Sequence, residues 1–198
     1  LCENLNYETR RSDLYNLGPQ GRIVILTDTD GDGEMDERKV FKDKVMFPTG
    51  IALGHGGVWV GSPPNLLFIP DRNRDDIPDG EPEIKLDGWG RQDRHETLNS
   101  FLWGPDGWLY GTHGRTNWSM LGKPGTPDDQ RVQFDGGVYR YHPMRHEWES
   151  FADGTTNLWD VDFDDYGQAF ISNIGPRHLY HPIQGAHYEP WRNRKSSQ

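Results

Sequence analysis

The sequence predicts an all-β fold assembled from repeated strand pairs, and three observations lead to it. No window of eleven or more residues keeps the apolar spacing of i, i+3, i+4 and i+7 that is typical of an amphipathic helix. Short runs rich in Val, Ile, Leu, Trp, Tyr and Phe instead recur between Gly, Pro, Asp and Asn residues, as expected of strands. Pairs of these runs begin near residues 50, 100 and 160, which is the repeat length of a β-propeller blade.

Composition narrows the class of protein further. The chain of 198 residues contains 24 Gly and 14 Pro, but its 8 Trp, 8 Tyr and 8 Phe are too many aromatic residues for a disordered chain. The formal net charge of −10 argues against nucleic acid as a partner, because phosphate binding needs clustered cations. No apolar run reaches the roughly 20 residues of a membrane-spanning helix. The single cysteine, Cys2, excludes an internal disulfide.

Six runs of apolar residues are predicted to be strands. They lie at residues 22–27 (RIVILT), 58–61 (VWVG), 66–69 (LLFI), 108–111 (WLYG), 138–141 (VYRY) and 169–172 (AFIS). Tight turns are expected at Gly56-Gly57, Asp106-Gly107 and Tyr166-Gly167. Gly-Gly and Asp-Gly fit two-residue hairpin turns, because both central positions then tolerate a positive φ.

The strand pairs continue into longer units. Each is followed by a further strand, a polar excursion and an outer strand, which gives a half-blade at 22–43, two full blades at 49–87 and 98–152, and a further one at 157–183. A propeller closes with four to eight four-stranded blades. We therefore expect about three and a half β-propeller blades, in a fragment or in a ring that another chain completes. Residues 1–20 are expected to form an N-terminal extension, residues 21–190 the blades and residues 191–198 a polar tail.

An acidic segment at residues 28–36 has the form D-x-D-x-D-G-x-x-D. Calcium takes six to eight oxygen ligands from a tightly curled loop, and Gly33 permits the sharp turn. A helical EF-hand would need Glu where Lys39 stands, and strands flank this loop. The pattern therefore predicts a β-hairpin calcium loop rather than a solvated acidic turn. The candidate ligands are Asp28, Asp30, Asp32, Glu34 (through its carbonyl oxygen) and Asp36.

A second loop repeats this pattern one blade further along the chain. Its oxygen-bearing residues are Asp71, Asn73, Asp75 and Asp79. Asp76 stands where the first loop has Gly33, and two Arg residues intrude. A second calcium site and a structural loop held by Asp–Arg pairs are both open at this point.

The candidate catalytic site is the polar loop at residues 93–96, which precedes the predicted first strand of the blade at residues 98–152. In a propeller such loops line the mouth of the central channel. His95 could act there as a general base, since its ordinary pKa is about 6.5. Asp93 or Asn99 could orient His95, and His113 is near enough in sequence to share the same rim. The structural alternative is that His95 caps a turn or binds a backbone carbonyl.

The segment at residues 95–114, HETLNSFLWGPDGWLYGTHG, resembles the propeller domain of bacterial proteins described as membrane-bound dehydrogenases. The acidic loop at 28–36, the segment 134–143 and the segment 159–168 fit the same family. Those proteins are large and exported, often with a C-terminal cytochrome c module. More distantly, the family is similar to quinoprotein sugar dehydrogenases, which are six-bladed propellers that use pyrroloquinoline quinone (PQQ) and calcium.

The resemblance implies a function, although the cationic residues that hold PQQ lie in later blades that have no counterpart here. We expect an exported, periplasmic or extracellular, calcium-binding propeller domain of a quinoprotein-type dehydrogenase that oxidises an alcohol or sugar. His95 matches the base of the quinoproteins. The alternative is a non-catalytic, calcium-stabilised scaffold that binds carbohydrate or a protein. The resemblance also implies association with a cytochrome c module, and the incomplete ring implies association with a second chain that completes it.

Overall fold

The structure is a computed structural model that describes residues 1–5, 7, 18–175 and 177–189. The all-β prediction is confirmed, because the described residues contain β-strands and one short 3-10 helix at Asp128–Gln130, and no α-helix. No helix of a length and apolarity suited to crossing a membrane occurs in this part of the chain.

The strands follow one another closely along the chain. They are β1 (Cys2–Glu3), β2 (Gly21–Thr27), β3 (Glu37–Val45), β4 (Gly50–Leu53), β5 (Gly57–Ser62), β6 (Asn65–Pro70), β7 (Glu83–Asp87), β8 (Asn99–Trp103), β9 (Leu109–His113), β10 (Met120–Leu121), β11 (Val132–Gln133), β12 (Gly137–His142), β13 (Glu147–Gly154), β14 (Asn157–Phe163), β15 (Ala169–Ile174), β16 (Leu179–Tyr180) and β17 (His187–Tyr188).

These strands form four main sheets. The first sheet has the order β1-β2-β3, the second β4-β5-β6-β7, the third β17-β13-β12-β9-β8 and the fourth β14-β15-β16. Strands β10 and β11 form a separate two-stranded ribbon. Neighbouring strands are antiparallel, except that β17 pairs with β13 in parallel. None of the sheets closes on itself.

Strands in the middle of the molecule carry apolar residues on both faces. In β5, Trp59 packs with residues of the third sheet, whereas Val58 and Val60 pack with residues of the first. In β12, Tyr139 faces the second sheet and Val138 faces the fourth. Because successive side chains of a strand point to opposite faces, one strand contributes to two separate cores.

Three apolar cores therefore lie between the four sheets. The first contains Ile23, Phe41 and Val45 with Val58, Val60 and Ile69. The second contains Trp59, Leu66, Phe68 and Leu86 with Leu109, Tyr139 and Tyr141, with Leu121 of β10, and with Trp89, Leu98 and Phe134 from the connections. The third contains Tyr110, Val138, Phe151 and Ala152 with Leu158, Val161, Ala169 and Ile171. The sheets thus stack face to face in chain order.

The first strands of successive sheets lie side by side. Strand β4 is next to β8, and β8 is next to β14. The Thr49 hydroxyl donates a hydrogen bond to the Leu98 carbonyl at 2.5 Å. The Asp160 amide donates to the Ser100 hydroxyl at 2.7 Å, next to bulges in both strands. Hydrogen bonds near these first strands therefore join the second sheet to the third and the third sheet to the fourth.

The hairpin turns differ from the sequence prediction. The turn between β4 and β5 is centred on His55 (φ 54°) and Gly56 (φ 75°), not on Gly56-Gly57. Residues 104–108 form a three-residue loop that ends at Gly107 (φ 80°), so the two-residue turn expected there is wrong. Pro105 is compatible with this loop, since its fixed φ suits the second position of a type I turn, and residues 164–168 form the same loop with Asp165 in that position.

The chain terminus is tied to the first sheet. Strand β1 pairs with β2, so Cys2 belongs to a sheet although the sequence interpretation assigned it to an extension. Burial raises the pKa of the Cys2 thiol to about 11. The predicted polar tail at residues 191–198 lies outside the described residues.

Candidate functional site

The first acidic loop is the tip of the hairpin between β2 and β3. The Asp36 amide donates to the Thr27 carbonyl at 3.0 Å and closes the loop at its base. Gly31 and Gly33 have φ values of 81° and 92°, in the left-handed region that favours glycine. The role predicted for Gly33, a residue that permits the sharp turn, is therefore confirmed.

Two carboxylates hold this loop from inside. Asp28 accepts hydrogen bonds from the Gly31 amide at 2.6 Å and from the Gly33 amide at 2.9 Å, and these bonds lower its pKa. Asp36 accepts from the amide and the hydroxyl of Thr29 at 2.9 and 2.8 Å, which likewise lowers its pKa. Both groups are thereby kept ionised, which is the state that a metal ligand requires.

Three of the four predicted carboxylate ligands converge. Asp28, Asp30 and Asp36 each offer a carboxylate oxygen, and these oxygens all lie within 4.8 Å of one another. The fourth, Asp32, is not part of this group, and its carboxylate instead accepts the Glu34 amide at 2.7 Å. An ion at the centre of the three carboxylates would complete its shell with backbone carbonyls and water, as calcium commonly does.

The second acidic loop, between β6 and β7, repeats the backbone of the first. Its closing bond runs from the Asp79 amide to the Pro70 carbonyl at 2.8 Å, and Asp79 accepts from the Arg72 amide at 2.6 Å. Arg74 and Asp76 have φ values of 59° and 62° at the positions that Gly31 and Gly33 occupy in the first loop. The two segments thus share one conformation, although the second lacks both glycines.

The chemistry of the second loop differs. Asp75 accepts a hydrogen bond from the Asn73 amide group at 2.9 Å, and an Arg72 guanidinium nitrogen lies 3.9 Å from Asp79. Within the described residues, the oxygens of Asp71, Asp75 and Asp79 do not form a convergent group like that of the first loop. The Asp–Arg alternative is therefore present here as an ion pair, and the geometry favours a metal only in the first loop.

His95 and Asp93 come together as predicted. The Asp93 carboxylate accepts a hydrogen bond from the His95 amide at 2.7 Å and lies 3.4 Å from His95 Nδ1. The His95 side chain is 50% exposed, and its ring meets that of Tyr7 edge-on at 5.7 Å. The Arg94 guanidinium lies over the same Tyr7 ring at 5.0 Å.

Asn99 lies apart from this pair. It is buried, donates to the Thr97 carbonyl at 2.7 Å, and accepts from the hydroxyls of Ser100 and Thr112 at 2.6 Å. Through these bonds, the side-chain amide group of Asn99 holds the start of β8 against β9. The structure therefore leaves Asp93 as the predicted residue that contacts His95.

Asn117 positions Asp93 and was missed by the sequence interpretation. Its side chain is fully buried, accepts from the Asp93 amide and donates to the Asp93 carbonyl, both at 2.7 Å. Asn117 lies 24 residues from Asp93 in the sequence, and no local pattern links the two residues. A buried Asn with both polar atoms paired is a structural clamp.

The chain belongs to the DUF7133 family. The model of this family, a domain of unknown function (DUF7133), matches residues 1–197. No curated protein matches the chain.

His113 of this DUF7133 domain lies in the core rather than on the rim. Its ring packs against Trp89 and Phe134 at 5.0 and 5.9 Å, and its Nε2 is 2.8 Å from the Ser119 hydroxyl. Burial lowers the pKa of His113 to about 3, so the ring is neutral at pH 7. A role for this residue on an accessible rim is thus ruled out by its burial.

The buried His113 makes stability depend on pH. The unfolded chain binds a proton at His113 near pH 6.5, whereas the folded chain does so only near pH 3. Stability should therefore fall as pH decreases through this window, by about 1.4 kcal/mol for each pH unit. Urea unfolding at pH 7, 6 and 5 measures the slope. The variant His113→Gln should have a shallower slope, and the exposed control His178→Gln should keep that of the wild type. Equal slopes for all three proteins would contradict the assignment.

Proposed function

We propose that this chain is a calcium-binding domain of β-propeller type, with the ion held by the loop at residues 28–36. The observation that supports it is the convergence of Asp28, Asp30 and Asp36 within 4.8 Å on a loop whose backbone is held in place by two of them. Bound calcium would offset the repulsion among these carboxylates and fix the tip of the outer hairpin. Its role in this proposal is structural.

The propeller part of the proposal is supported by how the sheets are arranged. Blades of a propeller are antiparallel meanders that pack face to face, with their first strands around a common axis. The second sheet is such a meander, the four sheets stack in chain order, and their first strands β4, β8 and β14 are neighbours. The described residues form four main sheets, so a six-bladed ring would take its other sheets from outside them.

Thermal unfolding with and without calcium tests the metal site. A ligand that binds only the native state stabilises it by about 2.7 kcal/mol at 100 times Kd, which predicts a rise in Tm of roughly 5–10 °C. Asp30→Ala should abolish the rise. Asp30 is the suitable residue to change because Asp28 and Asp36 also hold the backbone, whereas Asp30 makes only a long 3.3 Å bond to the Asp32 amide.

Two controls complete this experiment. Asp165→Ala removes another exposed carboxylate, from the turn between β14 and β15, and should keep the full calcium response. Asp75→Ala tests the second loop and should also keep it. A wild-type Tm that is insensitive to calcium, or a response that Asp30→Ala leaves intact, would reject the site.

A second candidate function is catalysis by a quinoprotein-type dehydrogenase domain. The contact of Asp93 with His95 favours it, because a carboxylate beside Nδ1 directs the other ring nitrogen, Nε2, toward a hydroxyl proton. The surrounding residues do not by themselves fit PQQ. Arg94 is stacked on Tyr7, and the groove of about 900 Å³ elsewhere in the molecule contains neither Asp93 nor His95. Any PQQ site would therefore need residues beyond this chain, and export to the periplasm or exterior belongs to the same proposal.

Turnover assays separate the enzyme from a scaffold. The complete ring, supplied with PQQ, calcium, an alcohol or sugar and an artificial electron acceptor, should turn over if the domain is catalytic. Loss of a general base lowers rates by about 10²–10⁴-fold, so His95→Ala should show such a loss while His178→Ala does not. Absence of PQQ binding by the complete ring would leave the alternative, a non-catalytic scaffold for carbohydrate or a protein partner.

A further inference from the structure

A chain of oxidisable aromatic rings crosses the second core. The ring of Trp103 lies 6.0 Å from that of Trp59, and the Trp59 ring lies 5.5 Å from that of Tyr141. Trp59 and Tyr141 are buried, whereas Trp103 is half-buried and packs against the core. Trp and Tyr are among the side chains that give up one electron most readily, and rings at these distances are in contact. An electron can therefore pass along the chain between its interior end at Tyr141 and its partly exposed end at Trp103.

The Tyr141 hydroxyl has a base beside it. A hydrogen bond of 3.0 Å joins this hydroxyl to Nδ1 of His146, and the hydroxyl is the donor when the neutral ring carries its hydrogen on Nε2. Burial and the Glu83 carboxylate raise the pKa of Tyr141 to about 12, so the phenol is protonated at pH 7 and has to lose that proton to become a neutral radical. His146 is exposed, so a proton that its ring takes up can pass on to water.

The backbone of the turn between β12 and β13 holds the His146 ring in this place. His146 has a φ of 54°, in the left-handed region that is uncommon for residues with a side chain. Its amide donates a hydrogen bond to the His142 carbonyl at 2.9 Å. Such conformations persist where the surrounding structure determines them, and they are frequent at functional sites. The turn thus keeps an imidazole against Tyr141 in spite of its backbone strain.

The neighbouring aromatic side chains have no comparable base. Among the described residues, the hydroxyl of Tyr139 is buried in the same core without a hydrogen-bond partner. The indole N–H groups of Trp59 and Trp103 donate to backbone carbonyls, which are very weak bases. An oxidised Trp in this chain therefore keeps its proton and takes an electron from the next ring. Oxidised Tyr141, in contrast, can transfer its proton to His146.

We propose that Tyr141 and His146 form a redox-active pair at the buried end of this chain of rings. The co-reactant is a strong one-electron oxidant of the class of oxygen-derived radicals, and it is reduced by one electron taken from Trp103. Electrons then move from Trp59 to Trp103 and from Tyr141 to Trp59. The O–H bond of Tyr141 breaks, and its proton forms an N–H bond at Nδ1 of His146. The products are the reduced oxidant, a neutral tyrosyl radical and an imidazolium.

The activity of this pair is to take oxidising equivalents from the surface of the molecule. Tyr141 is only 1% exposed, so its radical is shielded from solutes in the surrounding water. This activity goes beyond the proposed function, since it rests neither on the calcium site nor on His95.

Oxidation by light from a fixed position tests the inference. A ruthenium tris(bipyridine) complex is attached to the full chain at Leu53→Cys, because the Leu53 side chain is 72% exposed and its carbonyl accepts the indole bond of Trp103. The raised pKa of Cys2, about 11, keeps that thiol from competing for the label at pH 7. A flash in the presence of methyl viologen converts the complex into a one-electron oxidant. Transient absorption and electron paramagnetic resonance should then detect a tryptophan radical that decays as a tyrosyl radical forms, at a rate independent of protein concentration.

Three substitutions in the labelled protein identify the residues. Tyr141→Phe removes the hydroxyl and keeps the ring, so the tyrosyl signal should be lost and the tryptophan radical should persist. His146→Gln should have the same effect, because Gln accepts a hydrogen bond but is not a base. Tyr139→Phe is the matched control, since it removes a buried hydroxyl that has no acceptor, and it should leave the tyrosyl signal unchanged.

Several results would overturn the inference. They are a tyrosyl signal that Tyr141→Phe or His146→Gln leaves intact, loss of the signal in Tyr139→Phe, and the absence of a tyrosyl radical in the labelled protein without these substitutions. His146 is exposed, so His146→Gln tests the pair without altering the core, and thermal unfolding verifies that each variant is folded. The calcium response, measured on the same proteins, shows separately whether the metal proposal stands.

Discussion

The structure depends on the burial of both faces of its middle sheets. A strand such as β12 places Tyr139 in one core and Val138 in the next, so removal of either neighbouring sheet would expose a full apolar face. Burial of apolar surface contributes about 25 cal/mol for each Å², which makes these interfaces the dominant stabilising term. We therefore expect the sheets to unfold cooperatively. The loops between strands are held in position by the apolar cores, although they do not belong to those cores.

The acidic loop shows what such a scaffold makes possible. Strands β2 and β3 fix the ends of residues 28–36, and the left-handed glycines turn the backbone inward. Asp28 and Asp36 then serve the loop and the candidate site together, since both oxygens of Asp28 and one oxygen of Asp36 already accept backbone amides. Acidic residues cluster in this loop, and the whole chain has a net charge of −10. A bound divalent cation would reduce both the repulsion among the loop carboxylates and the excess negative charge of the chain.

The sequence predicted the strands well because their signal is local. The runs at residues 22–27, 58–61 and 138–141 are bounded by turn residues, and strands occupy all three in the structure. The conformation of the first acidic loop could likewise be predicted, because Gly33 permits its sharp turn and the carboxylates at alternate positions point to one centre. The turn at residues 104–108 differs from the prediction, since the Asp-Gly pair favours a two-residue turn whereas the bonds between Gly104 and Trp108 enclose three residues.

Long-range packing accounts for what the sequence did not reveal. Asn99 and His113 lie close to His95 along the chain, but both enter buried positions because β8 and β9 are covered by neighbouring sheets. Asn117 contacts Asp93 across 24 residues, a pairing that no local pattern contains.

The most direct test of the stacked-sheet account is a double-mutant cycle across one interface. The rings of Trp59 in the second sheet and Tyr141 in the third lie 5.5 Å apart. Aromatic pairs of this kind couple by about 0.5–1.5 kcal/mol beyond their buried area. Unfolding free energies of Trp59→Leu, Tyr141→Leu and the double variant should therefore show a coupling of that size. Strict additivity of the two substitutions would contradict the packing of these sheets against each other.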